Sequence, residues 1–400
     1  MVGLGVGVIV AQTRALYFLF FALICLSSFA SSYARVNHDS SIIDALGPEL
    51  FFQSRSTGMI LVVVHGDKVV FRAYGETAPN SHQLPTENSL IRLDSLTKVF
   101  TADLLNKLVL DKTVRLGTPL QRYAPPGIVV PARVRPITLF DLATHTSGLP
   151  REIGNPPPGT PHFTFPDYHT RWTWLPSQHL RSVPGTAALY SNLAFDFLAD
   201  ALQSASHESY PRLLAERTLI PLHMHSTTFY PNAEQCKHLL ESAPGDGPCV
   251  STAATDGSSG LYSTPADMAI WLKYLLGASV PEVPAQDGGA QAVYLRPSSL
   301  VSAKGLDHAG EPTGIGLAWI HILPLASPSH IVEKTGGGAG FKTYIAIDHS
   351  RQTAVFFAET FGSHDSYENQ FKAVNNLLLT VSGLPPLPPS ARSKRAAKRK

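Results

Sequence analysis

Cysteine, charge and the common catalytic signatures are all scarce in this chain. Three cysteines occur in 400 residues, with no C-x-x-C and no H-E-x-x-H, which removes the usual zinc and dithiol readings. His223 and His225 have no carboxylate at metal-ligand spacing, so no metal is expected. The glycines at 336–340 follow a lysine instead of preceding one, and no G-x-x-x-x-G-K-[ST] is present, which excludes a phosphate loop. No G-x-S-x-G is present either, which excludes the nucleophile elbow of α/β-hydrolases. Charged residues make up 16% against 44% hydrophobic, a balance that excludes disorder and describes an ordered, enzyme-sized protein. No internal repeat is visible.

Apolar runs long enough to span a membrane are also missing. The longest candidate, Ala15 to Ala30, follows Arg14 and leads into Ser28-Phe29-Ala30 and Ser32-Tyr33-Ala34. It is short for a span and reads as a signal peptide over 1–34, cleaved near residue 30 or 34. Residues 1–13 carry no charge, unlike an ordinary n-region, and Ile24 before Cys25 does not fit a lipoprotein site. Export to an oxidising compartment would pair the two remaining cysteines, Cys236 and Cys249. At the other end, Pro385 to Pro389 lead into Arg392, Lys394, Arg395, Lys398, Arg399 and Lys400. Without those six, 26 basic residues face 30 acidic ones, so the net charge of +2 belongs to the tail. Residues 385–400 read as a disordered basic extension, with anionic lipid or cell-wall polymer as its possible partner. Nucleic acid does not suit an exported protein.

Between these ends the pattern alternates. Gly58 to Glu76 reads as two strands around a Gly66-Asp67-Lys68 turn, apolar enough to be covered on both faces. Helical spacing follows at 99–108, 138–144, 193–205 and 210–219, with a proline-marked helix start at 263–267. The stretch 150–186, with Trp172 and Trp174, reads as a long irregular wall or lid. Strands return at 314–321, 330–334, 340–347 and 353–359, before a last helix at 367–381. Strands at both ends with helices between predict an α/β (α+β) fold. Its sheet unit would come from about 35–112 and 300–384, with a mostly helical insert at about 113–299.

The chemistry starts at Ser95-Leu-Thr-Lys98. Residues three apart share a helix face, so the Lys98 amine can reach the Ser95 hydroxyl. A lysine lowered in pKa by burial can take the proton that makes serine nucleophilic. Alone the signal is weak, since roughly one or two chance S-x-x-K matches are expected in such a chain. Yet no other serine here has lysine at +3. Tyr190-Ser-Asn192 lies at a helix entry, where a phenol can pass protons and an amide can hold a lysine. Tyr367-Glu-Asn369 matches the same weak pattern. Lys334-Thr335-Gly336-Gly337 closes one strand and precedes another, offering charge, a hydroxyl and a close backbone approach to a substrate. His145, in H-T-S-G, reads as a structural turn residue.

S-x-x-K, Y-x-N and K-T-G in that order resemble the penicillin-recognising serine enzymes. SLTKVF (95–100), RYAPPG (122–127), PITLFDLATHTSGLPRE (136–152), YSNLAFDFLADAL (190–202), GLYSTPADM (260–268), GLAW (316–319) and EKTGGGAGF (333–341) carry the likeness. The chain resembles the serine β-lactamase/penicillin-binding protein superfamily on its class C side. Within it the chain is most similar to AmpH-type D-alanyl-D-alanine carboxypeptidase/endopeptidases, a group that also has a similar cysteine pair. That resemblance implies a β-lactamase/DD-peptidase fold and an acyl-enzyme on Ser95. Lys98 or Tyr190 would be the base, and Asn192 would orient lysine and substrate. Lys334, Thr335 and Gly336 would bind substrate, and the backbone amides of Ser95 and Gly337 would form the oxyanion hole. It implies no cofactor, peptidoglycan muropeptides as substrates, and β-lactams as inhibitors or poor substrates in the periplasm or cell envelope. A class C-like β-lactamase and a non-catalytic envelope-binding protein are the alternative readings.

Overall fold

The structure is a computed structural model that describes residues 38–243, 247–277, 289–306, 309–323, 328–361 and 367–387. The expected signal peptide, and the tail from residue 388 onward, lie outside the described residues.

A seven-stranded antiparallel sheet joins the two ends of the chain. Its strands are β1 (Gly58–His65), β2 (Lys68–Gly75), β3 (Gly314–Ile315), β4 (Ile320–Ile322), β5 (Ile331–Gly338), β6 (Phe341–Asp348) and β7 (Thr353–Thr360), in the order β2-β1-β7-β6-β5-β4-β3. The hairpin at Gly66 forms as the sequence predicts, with His65 opposite Lys68 and Gly66 at φ +59°. β1 then pairs with β7, placing Val62 against Phe356. Alternate residues divide between two cores, as strand geometry requires. Ile60, Val62 and Val64 enter the larger core, while Met59, Leu61 and Val63 meet the smaller one. The second is covered by α1 (38–54) and by α5 (Tyr367–Val381), which supplies Phe371, Val374 and Leu378.

Three helices organise the other face. α2 (Thr97–Leu110) is buried from Thr97 through Asn106 on every side, so it lies inside the fold. α3 (Asn192–Ser206) starts where the Ser191 hydroxyl accepts from the Ala194 amide. α4 (Pro265–Leu275) is capped in the same way by Thr264. Phe100 of α2 stacks on Trp271 of α4 with ring centroids 4.0 Å apart.

Five expectations change. β2 is an edge strand with most of its residues half-exposed, so only β1 of that hairpin is covered on both faces. The run 314–321 is not one strand: it breaks at 316–319 and folds into the β3–β4 hairpin. β5 does not stop at Lys334 but continues through Gly338, so K-T-G lies inside a strand and the turn is Ala339-Gly340. The 150–186 stretch contains a helix, Tyr168–Trp174. Its Arg171 and Trp172 both point inward at Asp200 of α3. Two guanidinium nitrogens donate to the carboxylate at 2.7 and 2.5 Å, and the indole N–H donates at 2.8 Å. The proline segment begins on the fold, because the Leu387 amide donates to the Asn376 side chain at 2.8 Å. Cys236 and Cys249 form a disulfide.

Both partners of the Arg171–Asp200 pair are buried, so removing one strands the other charge. Arg171→Ala is expected to cost about 3–5 kcal/mol in urea unfolding. A loss under about 1 kcal/mol, the range of surface pairs, would contradict that placement.

Candidate active site

Ser95 sits in a single 3-10 turn, Asp94–Leu96, that runs directly into α2. Asp94 takes φ +51° at the entry, so the chain bends just before the serine. One turn later Lys98 is fully buried, and its amine reaches three oxygens. It lies 3.1 Å from Ser95 Oγ, 2.7 Å from Asn192 Oδ1 and 2.8 Å from the Ser258 carbonyl. Burial lowers the Lys98 pKa, and Lys334 adds to the lowering while Tyr190 opposes it. Burial thus eases loss of the proton whose departure would let this amine accept one from the serine hydroxyl.

Tyr190 approaches Ser95 from the other side, its phenol donating to Ser95 Oγ at 2.7 Å. Three cations surround the ring of this tyrosine. Lys98 Nζ lies 5.0 Å from its centroid, Lys334 Nζ 5.2 Å and the Arg151 guanidinium carbon 4.8 Å. His145 stacks on Tyr190 at 4.4 Å, and its Nδ1 accepts from the Ser191 amide at 3.1 Å. It therefore fixes the Y-x-N turn from behind. Burial pushes the His145 pKa well below its usual value, with Lys334, Lys98 and Arg151 acting in the same direction.

Lys334 reaches the site because of β5. Strand alternation puts Lys334, Gly336 and Gly338 on the Ser95 face. Thr335 and Gly337 take the alternate positions, with Tyr344 and Lys342 as cross-strand partners. Gly336, expected at the substrate, also answers a packing demand. A Cβ there would lie 2.8 Å from the Leu93 carbonyl, 3.2 Å from the Ser95 amide nitrogen and 2.2 Å from Thr343 Oγ1. Only glycine lets the strand press against the serine turn. β4 pairs with β5 only through Ile331–Glu333, so Lys334–Gly338 run on past the last β4 pairing.

The expected residues Ser95, Lys98, Tyr190, Asn192, Lys334 and Gly336 thus converge. Several others were missed. Glu152 accepts from the Asn192 side-chain amide and so fixes which way that amide faces Lys98. Arg151 accepts the Asn192 amide through its carbonyl at 3.1 Å. Ser258 supplies the third acceptor of Lys98. Phe163, from the 150–186 stretch, comes over the Gly338 end of β5. L-P-R-E ends one stretch that carries the family likeness and S-S-G-L overlaps the start of another, but neither has a spacing that assigns these contacts, which only the fold exposes. Trp172 packs in the larger core, and Trp174 is partly buried against it.

A buried Ser–Lys–Tyr cluster at the start of an internal helix, faced by a Lys-Thr-Gly strand, defines a class of serine hydrolase. The β-lactamase family profile matches residues 42–397. D-alanyl-D-alanine-carboxypeptidase/endopeptidase AmpH of Escherichia coli K12 is 39% identical over 375 residues, covering 92% of this chain and 97% of that protein. A β-lactamase of the same organism is 24% identical over 347 residues, covering 81% and 89%. Among solved structures, a β-lactamase/D-alanine carboxypeptidase from Yersinia pestis complexed with citrate superposes with a TM-score of 0.80. It is 40% identical and covers 86% of this chain and 98% of that one. A class C β-lactamase at TM-score 0.69 and 18% identity shares the fold. The chain belongs to the β-lactamase superfamily, with a class C-like fold, and is a serine hydrolase of that broad family.

Two outcomes follow. Gly336→Ala forces the strand off the serine turn, and reaction at Ser95 with a labelled penicillin is expected to slow at least ~100-fold, the cost of one oxyanion donor. An unchanged rate in the folded variant would refute the packing argument. His145 is neutral when folded and titrates near 6.5 when unfolded, so its contribution is complete above that pH and is lost as pH falls below it. Urea unfolding at pH 7.5 and 5.5 checks this: His145→Gln is expected to lose part of the wild-type difference, and an identical difference would contradict it.

Proposed function

We propose that the protein is an exported serine DD-peptidase, a D-alanyl-D-alanine carboxypeptidase/endopeptidase that cleaves peptidoglycan peptides and binds penicillin. The single observation carrying this reading is the Ser95 hydroxyl held between the Lys98 amine at 3.1 Å and the Tyr190 phenol at 2.7 Å. The names of the relatives at 39–40% identity support the substrate class.

In this reading Ser95 Oγ attacks the carbonyl carbon of a D-Ala-containing peptide bond. The hydroxyl proton passes to Lys98 or Tyr190, and the C–N bond breaks as the leaving amine takes a proton back through Tyr190. The negative oxygen of the intermediate is held by the Ser95 and Gly337 amides. Water then cleaves the ester, returning the Ser95 hydroxyl. A substrate backbone lies along β5 beyond Glu333 as an added strand. Asn192, Lys334, Thr335 and Gly336 meet its amide and carboxylate. No metal or cofactor takes part. In a β-lactam the leaving nitrogen stays tethered after ring opening, which favours a lasting adduct. The sheet unit with its helical insert at about 113–299 is the proposed domain division. A periplasmic or envelope location, with the tail after 385 contacting anionic membrane or cell wall, completes the proposal. Among the described residues no helix is long and apolar enough to cross a membrane.

The test is incubation with a D-Ala-D-Ala muropeptide, a labelled penicillin and nitrocefin. Release of D-Ala together with a stable penicillin adduct is expected, and Ser95→Ala should abolish both. Fast nitrocefin turnover without D-Ala release would instead make the protein a class C-like β-lactamase.

A further inference from the structure

Behind Lys98 lies a group of buried acids that the proposed reaction does not use. Asp196 is one turn along α3 from Asn192, so the two share a helix face. Asn192 holds the Lys98 amine from that face at 2.7 Å. The Ser258 carbonyl holds it from a second side at 2.8 Å, and the Ser258 hydroxyl lies close enough to the Asp196 carboxyl to favour its ionised form. The turn carrying Ser258 is clamped in place. A Cβ on Gly257 would lie 2.1 Å from the Phe195 carbonyl and 2.8 Å from Ala199 Cβ, and Thr101 Oγ1 of α2 donates to the Gly257 carbonyl at 2.8 Å. Lys98, Ser258 and Asp196 thus come from three elements that cannot separate without breaking this packing.

Asp196 is 1% exposed, and its Oδ1 has no hydrogen-bond partner among the described residues. Asp256, buried beside it, likewise has an Oδ1 without a partner. The charged groups acting on Asp196 are Arg171 from the Tyr168–Trp174 helix, Lys98 from α2 and Glu152 from the loop before that helix. Asp256 feels Arg171, Asp200 and Asp196. Arg171, paired with Asp200, is the stronger cation on Asp196, and Lys98 is the second. Lys98 in turn faces Tyr190 and Lys334. Burial raises Asp196 to about 7, with Arg171 opposing, so its charge changes in the range where such an enzyme works.

We propose that Asp196 is a positioning residue for the reaction assigned to Ser95, its carboxyl group, buried one turn from Asn192 and beside Ser258, biasing the charge carried by the Lys98 amine. The inference rests on the reading of Ser95 and Lys98 given above. An ionised Asp196 favours the ammonium form of Lys98, and a neutral one releases it to the amine that can accept the serine proton. Asp196 itself touches no substrate.

The experiment is the pH profile of Ser95 acylation by a labelled penicillin, in wild type and in Asp196→Asn. Removing the carboxylate takes an anion from beside Lys98, so the acidic limb should move to lower pH by about one unit, the low end of the effect of a nearby opposite charge. Ser258→Ala, which keeps the carbonyl and removes the hydroxyl that favours ionised Asp196, is the milder second variant. It should move the limb in the same direction by less. An acidic limb left at the wild-type pH, or moved upward, in either folded variant overturns the proposal, because a merely structural role would lower stability or amplitude without moving the midpoint. Wild type that takes up no penicillin at Ser95 rejects the peptidase reading instead, so the two failures are distinguishable.

Discussion

The burial of one amine governs this site. Lys98 lies inside the fold, where a charge is costly unless every proton is met. Its three acceptors come from the serine turn, from the start of α3 and from the turn after Asp256. Each must be delivered by a different part of the chain, so the packing of α2 against α3 and the sheet is a requirement of the chemistry. Gly257 and Gly336 are the points where this is tightest, because in both cases a single Cβ would hold apart two backbones that must touch.

Around that amine the charges are arranged unequally. On the cleft side Lys334, Arg151 and Lys98 all bear on the Tyr190 ring, and His145 stacks on it in neutral form. On the inner side Asp196, Asp200 and Asp256 share one arginine. The cleft thus favours loss of a proton and attraction of a carboxylate, and the interior supplies the opposing charge. A substrate ending in a carboxylate suits this polarity.

Much of this was legible in the sequence, for physical reasons. S-x-x-K works at three-residue spacing because one helix turn fixes both groups, and that local geometry survived intact. The β1–β2 hairpin, α3, α4 and α5 were readable from turn residues, caps and periodicity. The errors came where tertiary context decided. Glycine in K-T-G-G-G suggested a turn, yet β6 pairing kept it in a strand. The eight-residue apolar run at 314–321 suggested one strand, but it turns back on itself at 316–319. Arg151, Glu152 and Asp196 lie in stretches that carry the family likeness, but their roles and that of Ser258 were not readable, because they depend on elements up to 160 residues apart meeting at Lys98.

The central claim is that buried Lys98 makes Ser95 the nucleophile. Peptide mapping by mass spectrometry after a timed exposure to penicillin tests it most directly, in wild type and in Lys98→Ala. The account predicts the adduct on the peptide holding Ser95, formed about 10²–10⁴-fold more slowly without the lysine, the usual contribution of a positioned base. An adduct on another serine, or an unchanged rate in a folded Lys98→Ala variant, would contradict it.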